Sequence, residues 1–268
     1  MFYNAKNCTV DIGNTEMEYI IFGSGEKNVI LIPGLGDGLR TVKGKAIPFA
    51  CLYHTFAKGY TVYCFSRKNE LEEGYTTRDM ARDLKIAMDK LGIDKADIIG
   101  VSQGGMVAEF LAIDYPEAVN KLVLAVTVPC VNEATETVVG DWIRFVEEQD
   151  YYALTVNTAE KMYTEEYLKK YRKVYPLLTR FNTPKNPQRF LTMAKACMTH
   201  NALDELNKIK APTLVIGAEK DLIVTGDASR ILAKEIAGSE LYMYENYGHG
   251  VFEEAKDFNQ IVQEFLYR

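Results

Sequence analysis

Ile98-Ile99-Gly100-Val101-Ser102-Gln103-Gly104-Gly105 is the stretch on which the reading of this chain turns. It sets a G-x-S-x-G pattern directly after an apolar, strand-like run and just before Met106–Ala112, which reads as a helix. A serine in such a turn takes a strained backbone that lifts its Oγ above the sheet. Small residues two before and two after it let strand and helix pass close together. The backbone N–H of Gln103 then points to where an oxyanion would form. The competing reading is a glycine-rich turn with an incidental serine, and the rest of the chain must decide.

Outward from Ser102, continuous apolar runs recur at Asn28–Ile32, Tyr60–Phe65, Ile98–Val101, Leu122–Val126 and Leu214–Ile216. Such runs suit strands buried on both faces of a parallel sheet. Thr77–Leu91 carries Met80, Leu84, Ala87, Met88 and Leu91 at helical spacing, with Gly92 at the stop position. Two alternating runs, Thr9–Ile12 and Met17–Phe22, flank Asp11-Ile12-Gly13-Asn14 and suggest a hairpin. Ser229–Ile236 and Phe258–Leu266 read as helices around a strand at Leu241–Tyr244. The fold class is therefore α/β: a mostly parallel, doubly wound central sheet. From Val131 to Leu206 the pattern is helical without a convincing strand. This divides the chain into a core of residues 1–130 and 207–268 and a helical cap of residues 131–206.

The 268 residues, 47% apolar and 25% charged, suffice for one large core with an insertion. A net charge of −6 without any basic run disfavours nucleic acid as a partner. No apolar run is long enough to span a bilayer, and no apolar leader stands near the N-terminus. Cys8, Cys51, Cys64, Cys130 and Cys197 are odd in number and lie at no metal-ligand spacing. The expectations are a cytoplasmic protein, a small-molecule substrate, no metal, no organic cofactor, and a monomer or small homo-oligomer.

A serine hydroxyl needs a base near neutral pH. The chain offers three histidines: His54 in the apolar stretch Phe49–Phe56, His200 in the insertion, and His249 in the loop Asn246-Tyr247-Gly248-His249-Gly250. A glycine-flanked loop after a strand best presents a catalytic side chain. The orienting acid should lie just past a strand, and Thr213-Leu214-Val215-Ile216-Gly217-Ala218-Glu219-Lys220-Asp221 supplies Asp221, with Glu219 and Asp227 as competitors.

Val215-Ile216-Gly217 followed by Asp221, then Gly248-His249-Gly250, Phe252-Glu253 and Phe258 through Phe265-Leu266, resembles the C-terminal signature of α/β-hydrolases. With the Ser102 turn, the resemblance covers nearly the whole chain outside the insertion. It implies Ser102 as nucleophile, Asp221 as orienting acid and His249 as base, in the family's chain order. It also implies the second oxyanion donor. Pro33-Gly34-Leu35-Gly36-Asp37 stands where relatives have His-Gly, which makes Leu35 the backbone donor beside Gln103. Two departures stand out: Pro33 in place of the histidine, and Phe65-Ser66-Arg67-Lys68-Asn69 where many relatives have Asp-x-Arg-Gly-x-Gly.

A serine at the elbow points to acyl transfer. The first reading is an esterase-like serine hydrolase acting on a small, largely apolar substrate through an acyl-enzyme. A C–C bond hydrolase or cofactor-free haloperoxidase-like member is the second, and a ligand-sensing binder on the same fold the third. The insertion is rich in aromatics, among them Trp142, Phe145, Tyr151, Tyr152, Phe181 and Phe190. Tyr163, Tyr167, Tyr171 and Tyr175 recur every four residues, which would stack them on one helix face. Trp142, Tyr163 and Tyr167 are the candidates for the substrate pocket, expected to be apolar with few fixed charges.

Overall fold

The computed structural model describes residues 2–13 and 15–268, the side chains of residues 181 and 182 excepted. The predicted turn residue Asn14 and the Phe181 side chain thus lie outside the description. Strand β1 (Lys6–Asp11) and strand β2 (Glu16–Gly23) form the expected hairpin. At its turn the Gly13 N–H donates to Asp11 Oδ1 at 2.7 Å. Strand β3 (Lys27–Ile32) runs into a 3₁₀ turn at Leu35–Gly38, then helix α1 (Ala46–Leu52) and strand β4 (Tyr60–Lys68). Helix α2 (Thr77–Lys90) opens with a capping box in which Thr76 and Asp79 satisfy each other's backbone N–H. Strand β5 (Ala96–Val101), helix α3 (Gln103–Asp114) and strand β6 (Val119–Ala125) follow.

Five helices then interrupt the rhythm: α4 (Glu133–Glu147), α5 (Tyr151–Met162), α6 (Glu165–Tyr171), α7 (Tyr175–Asn182) and α8 (Pro187–Met198). Strand β7 (Thr213–Ala218), helix α9 (Gly226–Glu235), strand β8 (Glu240–Tyr244) and helices α10 (Val251–Glu254) and α11 (Phe258–Tyr267) complete the chain. The five-helix excursion leaves and returns at one point. Cys130 and Asn201 form an isolated bridge, flanked by Val131 N–H to His200 O at 3.1 Å and Ala202 N–H to Pro129 O at 2.7 Å.

The eight strands make one sheet in the order β1-β2-β4-β3-β5-β6-β7-β8. β1–β2 and β2–β4 pair antiparallel, and every other neighbour is parallel. The central strands are apolar because helices cover both faces: Val29, Ile30, Ile98, Leu122, Val123 and Val215 are fully buried. The chain goes from β3 to β4 on one side and then to β5 on the other. The strand order therefore reverses at the C-terminal ends of β3 and β5, the place where open α/β sheets bind ligands.

One expectation about the insertion changes. The tyrosine stripe does not lie on one helix, because Tyr163 ends α5 in extended backbone and α6 and α7 are separate helices. Tyr163, Tyr167 and Tyr171 still stack ring on ring, with centroids 4.6 Å apart at each step. Tyr175 leaves the stack and donates to Glu160 at 3.0 Å.

Candidate active site

Ser102 stands between β5 and α3 with φ +54° and ψ −124°, a conformation unfavourable for any side chain. Its neighbours hold it there. The Ser102 N–H donates to Ala125 O at 2.9 Å, and Ser102 O accepts from Gly105 N–H at 2.7 Å and Thr127 Oγ1 at 2.8 Å. The glycines of the motif are close-approach residues. A Cβ on Gly104 would lie 1.9 Å from Ile32 O, and one on Gly100 would lie 2.5 Å from Gly104 O. Helix α3 can thus press against β3 and β5 only with no side chain at these positions.

The structure brings Ser102, His249 and Asp221 together from three loops. Ser102 Oγ is 3.0 Å from His249 Nε2, and His249 Nδ1 is 2.8 Å from Asp221 Oδ2. The other Asp221 oxygen accepts the Ile223 and Val224 N–H groups at 2.8 and 3.0 Å, so the carboxylate is held in one orientation. Both His249 and Asp221 are buried. The two loops that carry them are laced by Glu219 N–H to Tyr244 O and Lys220 N–H to Tyr247 O. The competing acids are elsewhere: Glu219 and Asp227 pair with Arg230 at the surface. His54 is exposed, with Nδ1 against Cys51 O at 2.8 Å. His200 is buried between Thr77 Oγ1 at 2.9 Å and Glu109 at 3.2 Å.

Leu35 and Gln103 are the first residues of the 3₁₀ turn and of α3. The N–H groups at such positions have no acceptor within their own helix. Both residues belong to the segments that meet Ser102, and Leu35 shares a cavity wall with it. The loop that carries Leu35 is braced by residues to which the sequence assigned no role. Arg67 donates to Pro33 O at 2.7 Å and to Gln103 Oε1 at 3.3 Å, which joins the two segments. Burial lowers the Arg67 pKa, with the Asp37 carboxylate opposing the shift. Asp37 accepts from Ser66 Oγ at 2.6 Å, Arg67 N–H at 2.9 Å and Arg189 Nη2 at 2.8 Å. Arg189, on α8, also reaches Asp37 O and Arg67 O. Asp37 closes the quoted loop, but nothing local links it to an arginine 152 residues away.

A cavity of about 640 Å³ opens at Ser102 and His249. Trp142, Leu154, Met162 and Tyr163 line it from the inserted helices, Phe49 and Phe56 from the core. Trp142 is anchored by its indole N–H to Asn157 Oδ1 at 2.9 Å. Tyr167 does not belong to the lining: it sits behind Tyr163, between Tyr163 and Tyr171. The expectation of few fixed charges is also corrected. Asp37, Arg40 and Lys45 line the cavity from the segment after β3, and Glu253 from α10. Burial pushes the Glu253 carboxyl up, against the lowering effect of the Tyr163 hydroxyl that donates to it at 2.6 Å. Among the described residues no cluster of three or more His, Cys, Asp or Glu side chains could hold a metal ion.

A family model described as alpha/beta hydrolase fold matches residues 27–256. The chain belongs to the alpha/beta hydrolase fold family. It is similar to the 2-hydroxy-6-oxononadienedioate/2-hydroxy-6-oxononatrienedioate hydrolase of Klebsiella pneumoniae, with 29% identity over 92% of this chain and 89% of that protein. It is also similar to 3-oxoadipate enol-lactonase 2 of Acinetobacter baylyi, at 22% identity over 97% of this chain and 96% of that protein. Among solved structures, an alpha/beta hydrolase enzyme from a Medee basin deep-sea metagenome library superimposes with a TM-score of 0.87. It is 23% identical, over 97% of this chain and 98% of the other. This α/β hydrolase is accordingly an enzyme, and its relatives act on small molecules. No helix among its described residues is long and apolar enough to cross a membrane.

Proposed function

We propose that this hydrolase cleaves a carboxylic ester or lactone of a small, largely apolar substrate by nucleophilic catalysis. The observation that carries the reading is the hydrogen-bonded chain Ser102–His249–Asp221 opening on the cavity. Ser102 Oγ attacks the carbonyl carbon while His249 Nε2 takes its proton. Asp221 orients the imidazole and stabilises the imidazolium. The Leu35 and Gln103 N–H groups receive the oxyanion, a donation worth about 3–4 kcal/mol per donor in such sites. Collapse of the tetrahedral intermediate expels the alkoxide, which takes the proton from His249 and leaves an acyl-Ser102. Water, deprotonated by the same histidine, then releases the acid. The inserted helices of residues 131–206 serve as the cap that walls the cavity. The five cysteines, none of them in a disulfide, support a cytoplasmic location.

A second reading is favoured by the names of relatives: cleavage of a C–C bond beside a carbonyl, with the same serine and histidine. The Ser102→Ala variant tests the shared chemistry. It should lose covalent labelling by a fluorophosphonate and at least about 10⁴-fold of turnover, with an unchanged circular dichroism spectrum. Wild-type-like hydrolysis by the purified variant would refute the assignment. A panel of short acyl esters, lactones and vinylogous diketones separates the two readings.

A further inference from the structure

Two lysines near the end of the loop after β3 behave in opposite ways. Lys43 lies on the surface and pairs with Glu18 at 2.9 Å. Lys45, two residues on, is half-buried in the wall of the cavity that holds Ser102 and His249. Its Nζ donates to a neutral acceptor, Arg40 O, at 3.1 Å. Among the described residues no carboxylate lies within ion-pair distance of it. An ammonium has three donors, so two are left for another partner.

The surroundings leave its charge uncompensated. Asp37 is the acid that acts on Lys45, but its oxygens are taken by Ser66, Arg67 and Arg189. Arg40 adds a second cation to the same wall, with Nη2 on Arg180 O at 3.0 Å. Arg67 and Arg189 lie buried behind it. Asp37 is thus engaged by Arg67 and Arg189, and among the described residues Lys45 has no carboxylate of its own on this side of the cavity. Burial pulls the Lys45 pKa down, with Arg40 adding to the fall and Asp37 opposing it. A half-buried cation kept at such a cost, with donors to spare, favours an anionic ligand. Glu253 is the other cavity acid, and Tyr163 already donates to it. An anion is therefore disfavoured near Glu253 and favoured near Lys45. Two free donors and one charge suit a carboxylate, whereas a phosphate dianion would need more.

We propose that Lys45 is a specificity residue that receives a carboxylate carried by the substrate away from its scissile bond. The substrate is then amphipathic: an apolar middle against Phe49, Trp142 and Leu154, a reacting carbonyl at Ser102, and an acid at Lys45. The inference rests on Ser102 as the reacting centre, and the test keeps the two apart. In the first arm, titration calorimetry on the Ser102→Ala protein compares monomethyl adipate, bracketed by monomethyl glutarate and pimelate, with methyl hexanoate. A half-ester should bind more tightly than the neutral ester. Adding Lys45→Met should cut that preference about tenfold or more, and Lys45→Arg should restore most of it, as expected for a charge-assisted pair. In the second arm, turnover of the same esters by wild type and Lys45→Met is compared. The acidic-to-neutral ratio of kcat/KM should fall by a similar factor, through KM. Equal binding of half-esters and neutral ester, or a ratio indifferent to Lys45→Met, overturns the inference. A Lys45-dependent preference without Ser102-dependent turnover would instead sink the acyl-transfer reading and leave the carboxylate site standing.

Discussion

Ser102 stores strain that its surroundings must offset, about 1–3 kcal/mol for a non-glycine residue at positive φ. That strain orients the hydroxyl toward His249 and frees the Gln103 N–H at the start of α3. The histidine assignment has a direct check. His249→Ala should lower kcat by about four to six orders of magnitude, as for other members of such relays. His54→Ala should stay within twofold of wild type, because His54 is exposed and does not line the cavity. The wild-type rate should also decline at acid pH, since a protonated imidazole cannot accept the serine proton. Loss of activity in His54→Ala with retention in His249→Ala would show that the wrong base was chosen.

Helix α8 does more than cover the sheet. Through Arg189 it holds Asp37 and Arg67 O, and its Met193 O accepts from the Gln103 side chain at 2.7 Å. The 3₁₀ turn that carries Leu35 is therefore clamped by a helix from the insertion. Arg189→Met leaves Asp37 buried with one cationic partner fewer and should cost about 3–5 kcal/mol of stability. It should also lower kcat more than it raises KM, because the loop of Leu35 loosens. A thermal melt and steady-state kinetics on one preparation read both effects, and an unchanged melting temperature would contradict the clamp. Helices α4 and α5 bound the cavity more simply. Trp142→Phe and Leu154→Val enlarge it, and should shift the preferred acyl chain to longer or bulkier groups. Labelling of Ser102 by a small phosphonate should change much less, as the triad belongs to the core. Unaltered chain-length preference in both variants would rule out the cap as the sieve.

The molecule as a whole is stitched between core and insertion by a buried polar group. Glu109, on the helix that follows Ser102, meets His200 at the point where the insertion returns. Both residues are buried, and Glu109 Oε1 has no partner among the described residues. Burial raises the Glu109 pKa, and His200 only partly opposes it. Folding thus favours the neutral acid. The contribution of Glu109 is fully present below the pKa of an unfolded glutamate, about 4.3. It is lost as pH rises through the elevated folded value. Glu109→Gln keeps the shape and does not titrate. Its melting temperature relative to wild type should therefore climb across that window and then level off, by about 2–4 °C for each kcal/mol. A difference that stays constant from acid to neutral pH would rule out an ionising Glu109.

Much of this was legible in consecutive residues. Parallel strands covered on both faces must be unbroken apolar runs, so β3 to β7 could be read along the chain, while β1 and β2 showed as an alternating antiparallel hairpin. The elbow is equally local, since the glycines at 100 and 104 answer to contacts within one strand–turn–helix unit and the strand beside it. What could not be read depends on where distant segments land. Asp221 and the surface acids Glu219 and Asp227 look alike in sequence, and only the fold brings one of them to 2.8 Å from His249. Tyr163 and Tyr167 share a spacing, but a helix end at Tyr163 turns one ring to the cavity and leaves the other behind it. Arg189 and Lys45 are ordinary cations in the sequence. Tertiary packing buries one against an acid and the other in a cavity wall without one, because periodicity encodes which face of an element is buried but not which partner waits there.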